Sequence, residues 1–101
     1  MSRGLELDEE AIAAACRRFG VRRLAVFGSA ATEAFDPERS DADFLVEFGP
    51  GAASRFDAYF GLKEELERLV GRPVDLVMRK ALENPHFAAS VEQSRRELYA
   101  A

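Results

Sequence analysis

Apolar residues recur along this chain at two spacings, and the switches between them mark the elements. The first spacing is helical: Ile12, Ala15, Cys16 and Phe19 fall on one face. Asp8 stands where an N-cap belongs, Leu7 and Ile12 are spaced as a hydrophobic staple, and Gly20 offers a left-handed stop after Phe19. The pattern then shortens to an apolar run, Leu24-Ala25-Val26-Phe27, which reads as a strand halted at Gly28. Ser29 occupies the N-cap position of a helix-compatible segment, residues 30–34. A polar loop, residues 35–40, carries Asp36-Pro37 as a turn signal and leads into strict alternation. Ala42, Phe44, Val46 and Phe48 share one strand face; Asp41, Asp43, Leu45 and Glu47 share the other.

Gly49-Pro50-Gly51 closes that strand, and Ser54-Arg55-Phe56-Asp57 resembles a capping box with Asp in place of Glu. The helix it opens runs through Val70, with Phe56, Tyr59, Phe60, Leu66, Leu69 and Val70 predicted toward the core. Gly71-Arg72-Pro73 breaks it before a third strand, Val74-Asp75-Leu76-Val77-Met78. Asn84-Pro85 then supplies an N-cap and a first-turn proline for a last helix whose apolar face is Phe87, Val91 and Leu98. The predicted order is helix, strand, short helix, strand, helix, strand, helix. That is an α/β (α+β) arrangement, a small mixed β-sheet with helices packed on it.

Composition narrows the class. At 101 residues, 48% hydrophobic and 32% charged, the chain is expected to form a single domain over residues 1–101 with a modest core. No apolar stretch approaches a membrane span and the first residues lack a secretory core, so the expected location is cytoplasmic. One cysteine excludes an internal disulfide, and with one histidine it excludes the usual zinc sets. Any metal is therefore held by oxygen, which points to magnesium or manganese. A formal charge of −4 argues against a general nucleic-acid binder.

The chemistry concentrates between Phe27 and Val46. A strand ending in Gly28-Ser29 at a helix start offers backbone N–H groups, a hydroxyl and the positive end of a helix dipole, all suited to phosphate oxygens. Asp41 and Asp43, two apart on one strand, place two carboxylates side by side, and a cation relieves their repulsion. Asp75 interrupts an apolar run and needs a partner: either it joins the other two carboxylates or it pairs with Arg72, Arg79 or Lys80. Arg39, Arg79 and Lys80 lie near these acids in sequence and would suit a triphosphate. His86 has no neighbouring ligand and Cys16 sits on an apolar face, so neither is read as catalytic; Tyr99 is open between core, partner contact and exposure.

In order and context, Gly28, Ser29, Asp41, Asp43 and Asp75 resemble the signature of the minimal nucleotidyltransferases of the DNA polymerase beta superfamily: Gly-Ser, a spacer, Asp-x-Asp on the next strand and a third Asp on a later one. The resemblance runs from about Val21 to Lys80 and, by size, to the end of the chain. Two departures stand out. The eleven-residue spacer between Ser29 and Asp41 is one longer than the common form, and Thr32-Glu33 replaces the Arg-Gly that often follows.

The resemblance implies a polymerase beta-like nucleotidyltransferase fold. It also implies transfer of a nucleoside monophosphate, AMP from ATP, to a hydroxyl, with Asp41, Asp43 and Asp75 as catalytic and metal-binding residues and Gly28 and Ser29 holding the nucleotide. Small relatives of this kind are antitoxins of HEPN/MNT pairs, the MntA-like group, which neutralise a HEPN toxin by placing AMP on its tyrosine. The same role, with Mg²⁺ or Mn²⁺, ATP and a HEPN toxin partner, is the expectation here. Two alternatives remain: an antitoxin of weak or no activity that masks its partner by contact, with Glu33 disfavouring phosphate, and a transferase acting on a small molecule of aminoglycoside type.

Overall fold

The computed structural model describes residues 7–28, 42–50 and 55–101. Along these the chain forms α1 (Glu9–Arg18), β1 (Val21–Phe27), β2 (Ala42–Phe48), α2 (Arg55–Val70), β3 (Val74–Met78), a short 3-10 helix (Arg79–Glu83), α3 (Pro85–Ser94) and β4 (Arg96–Ala100). The strands make one mixed sheet in the order β3-β2-β1-β4. β1 runs antiparallel to β2 and β4, whereas β2 and β3 are parallel.

Local signals account for most boundaries. Asp8 accepts a hydrogen bond from the Ala11 N–H at 3.1 Å, with Glu9 and Glu10 in the first turn of α1 and Arg17 and Arg18 in the last, charges that suit the helix dipole at both ends. Gly20, at φ 72°, turns the chain into β1. Asn84 accepts from the N–H groups of His86 and Phe87 at 3.0 and 3.2 Å and opens α3 at Pro85.

The sheet is covered on both faces. Leu24, Val26, Ala42, Phe44, Val46, Val74 and Leu76 point to one side, where they form the main core with Ile12, Ala15 and Cys16 of α1 and Leu62 and Leu66 of α2. α1 and α2 approach closely because Gly61 has no side chain: a Cβ there would lie 2.5 Å from a ring carbon of Phe19. On the other side a smaller cluster joins Phe27 and Leu45 to Val91, with Val77, Leu82 and Phe87 packed around them. Phe27 and Phe87 meet edge to face at 5.6 Å.

β3 lies at one edge of the sheet, and α2 seals that edge. Ala42 donates to the Pro73 carbonyl at 3.1 Å, so in the parallel ladder the peptide groups of Val74 and Leu76 turn away from β2. Glu67 accepts from the Val74 N–H at 3.0 Å and the Tyr59 hydroxyl donates to the Leu76 carbonyl at 2.6 Å. Each of these residues thus has one of its two outward backbone groups satisfied by a side chain of the same helix.

Two expectations are corrected. The core stripe of α2 is Ala58, Leu62 and Leu66, whereas Phe56 and Phe60 are 72% and 52% exposed and pack against each other with their rings tilted. Phe60 is two positions from both Ala58 and Leu62, which at about 100° per residue sets it on the far side of the helix. The last helix ends at Ser94, and Leu98 belongs to β4, paired along β1. Leu98 sits seven residues after Val91, a helical spacing, but the free edge of β1 offers a ladder of backbone hydrogen bonds that a longer helix would forgo. The short helix expected at residues 30–34 and the Ser54 cap lie outside the described residues.

Candidate active site

β1 ends next to the start of β2, with Phe27 opposite Asp43, and β2 then places Asp43 opposite Asp75 on β3. Neighbouring strands lie about 4.8 Å apart, and paired residues point to the same face. Two carboxylates from distant parts of the chain therefore stand side by side on the α3 face of the sheet. Asp43 is half-buried and Asp75 exposed. Asp75 forms no ion pair among the described residues; Arg79, one of its possible partners, lies 3.5 Å from Glu47 instead, four residues along β2 from Asp43. That also takes Arg79 away from the acids as a triphosphate contact. Lys63 lies near enough for Asp75 to contribute to the upward shift of its ammonium pKa, although the hydrogen bond to Glu67 is the chief cause.

Gly28 completes the junction. Its φ of +70° is left-handed, and a Cβ on it would sit 3.0 Å from Asp43 Oδ2. Only glycine allows both this turn and this approach. The Gly28 N–H donates to Ser94 Oγ at 2.8 Å, and Ser94 in turn donates to the Ser90 carbonyl at 3.3 Å. The sequence pattern gave that amide to a phosphate; the fold gives it to the last residue of α3. No periodicity could have singled out Ser94, because its role depends on where α3 crosses the sheet. Ser29 and Asp41, the remaining members of the predicted set, lie outside the described residues.

Adjacent carboxylate oxygens with no soft donor suit a hard divalent cation such as magnesium or manganese. Cys16 is sealed in the main core on the opposite face, where burial pushes its thiol pKa up to about 12, so it remains a neutral, inert core residue. His86 is exposed in the first turn of α3, and Tyr99 packs partly buried against the main core.

A family model described as a nucleotidyltransferase domain matches residues 9–98. The chain belongs to this family. Relatives of this nucleotidyltransferase include a Methanocaldococcus jannaschii protein named as a protein adenylyltransferase, 37% identical over 76 residues, 75% of each chain. The protein adenylyltransferase MntA of Thermococcus cleftensis is 44% identical over 67 residues, 66% of this chain and 65% of that protein. Among solved structures, one described as a minimal nucleotidyltransferase superposes with a TM-score of 0.69 at 35% identity, covering 87% of this chain and 86% of its own. A toxin-antitoxin structure with AMP-PNP shares the fold at a TM-score of 0.70 and 21% identity, over 94% of this chain and 75% of that one. An MNT antitoxin in complex with the tri-AMPylated HEPN toxin of Shewanella oneidensis shares it at 0.61 and 19%, over 92% and 70%.

Proposed function

We propose that this nucleotidyltransferase moves AMP from ATP to a protein hydroxyl, a tyrosine of a HEPN toxin partner, and so acts as that toxin's antitoxin. The observation that carries the catalytic part is the pairing of Asp43 with Asp75 beside a glycine that no other residue could replace without crowding Asp43. Asp41, Asp43 and Asp75 would hold Mg²⁺ or Mn²⁺, and a cation so held supplies neutralisation of phosphate charge and a more acidic acceptor hydroxyl. Asp75, the exposed member of the pair, takes the proton of the acceptor hydroxyl as its oxygen attacks the α-phosphorus. The bond from the α-phosphorus to the bridging oxygen breaks and pyrophosphate leaves. Ser29 contacts the outer phosphates, while Gly28 keeps the turn tight enough for their approach. The acceptor assignment is supported by relatives named as protein adenylyltransferases and by the shared fold of an MNT antitoxin bound to an AMPylated HEPN toxin.

Purified protein mixed with ATP, Mg²⁺ and its cognate toxin is expected to add the mass of one or more AMP groups to that toxin, located on tyrosine by peptide mass spectrometry. Asp43→Asn is expected to abolish the addition while still folding. An unmodified but neutralised toxin, with Asp43→Asn as protective as the wild type, would replace this reading with masking by contact.

A further inference from the structure

At the other end of the same sheet face lies a groove of about 310 Å³ whose lining is dominated by charge. Its floor is apolar, formed by Ala25, Leu45 and Leu82. Four arginines, Arg22, Arg23, Arg79 and Arg95, face it against two glutamates, Glu47 and Glu97, in a chain whose overall charge is −4. The pairing of these charges is incomplete. Arg22 and Arg79 share the single carboxylate of Glu47 at 3.7 and 3.5 Å, longer than normal hydrogen bonds. Arg23 stands directly across from Glu47 in the β1–β2 register and makes no ion pair among the described residues. Only Arg95 is well held, donating to Glu97 at 2.7 Å and lying 3.3 Å from Glu92.

We propose that this groove is a second ligand site, separate from the carboxylate pair, that binds the terminal phosphoryl group of a small phosphomonoester or free phosphate. With Arg95 held by Glu92 and Glu97, Arg22, Arg23 and Arg79 face the one remaining carboxylate, Glu47; this positive excess suits a phosphoryl anion, and guanidinium forks match its oxygens. The volume is at the lower end of the roughly 300–1,000 Å³ typical of small-molecule sites, which suits a compact ligand. Arg23 and Arg79 grip the phosphoryl oxygens from opposite walls, one on β1 and the other on the 3-10 helix. The apolar floor receives whatever organic group the phosphate carries. Asp43 and Asp75 lie at the opposite end of the strands, separated from Arg23 and Glu47 by the row of Ala25, Leu45 and Val77, so this site does not depend on the catalytic reading.

Calorimetry of the full chain in EDTA and low salt tests it, with inorganic phosphate and AMP as separate titrants. Without metal, the two acids repel both anions from the candidate active site. The wild type is expected to bind with a dissociation constant below about 1 mM, and R23Q/R79Q to bind about tenfold or more weakly, as loss of charge-assisted contacts requires. Affinity for AMP is also expected to fall below about pH 6, where the phosphoryl dianion takes up a proton and becomes a monoanion. Tighter binding of AMP identifies an ester as the ligand, and equal binding identifies free phosphate. The proposal is overturned if neither titrant binds, if R23Q/R79Q with wild-type circular dichroism binds as well as the wild type, or if Asp43→Asn abolishes the binding.

Discussion

The two faces of the sheet use the same three strands to opposite ends. Under α1 and α2, β1 to β3 present a continuous apolar surface from Val46 and Leu24 to Ala42 and Val74, sealed by two helices. Under α3, they are apolar at the centre, at Ala25, Leu45 and Val77; Asp43 and Asp75 stand with Phe27 at one end, Arg23 and Glu47 at the other. A strand that alternates sides at every residue lets neighbours in sequence serve unrelated demands. Phe44 is wholly buried in the core while Asp43, one position before it, faces the candidate site.

Substitutions on the two faces are therefore expected to separate stability from chemistry. Phe44→Ala, on the sealed face, is expected to cost about 3–5 kcal/mol in urea denaturation. Asp75→Asn, on the open face, is expected to leave that curve nearly unmoved while lowering AMP transfer by about a hundredfold or more, as loss of a proton acceptor does; a matching loss of stability would erase the contrast. Gly28→Ala touches both properties, costing about 1–2 kcal/mol of backbone strain and weakening Mg²⁺-dependent ATP binding, measured by calorimetry, because its methyl presses on Asp43. Tyr59→Phe removes one hydrogen bond at the sheet edge and is expected to cost about 1 kcal/mol in the same urea assay. The smallest effect is a pH dependence. The hydrogen bond from Lys63, then that from the Val74 N–H, holds the Glu67 carboxyl below its ordinary value of 4.5. The folded pKa is the lower one, so its contribution is complete above pH 4.5 and fades as pH falls through the lowered value. Glu67→Gln is expected to make the acid limb of the melting-temperature profile shallower.

The sequence revealed most where a periodic pattern and a local signal agreed. β2 was legible to the residue, since Ala42, Phe44 and Val46 form one face and Leu45 lies on the other. Asp8 and Asn84 marked helix starts because a capping side chain acts within three residues of itself. What sequence could not give were facts about neighbours. Phe56 and Phe60 look like core until the stripe of Leu62 and Leu66 takes the sheet. Leu98 looks helical until the edge of β1 is seen to be free. Within the candidate site, the third strand's acid could be read either as a metal ligand or as a salt-bridge partner, and the parallel register that sets it against Asp43 is visible only in three dimensions.

The hydrogen bonds that α2 makes to β3 also constrain how any acceptor reaches Asp75. With Glu67 on the Val74 amide and Tyr59 on the Leu76 carbonyl, two of the four outward backbone groups of these residues are already taken, so an incoming strand would have to displace α2 side chains to lengthen the sheet. For the proposed transfer, this favours a hydroxyl presented by a helix or a tight turn across the α3 face over one carried on an extended strand added to the sheet.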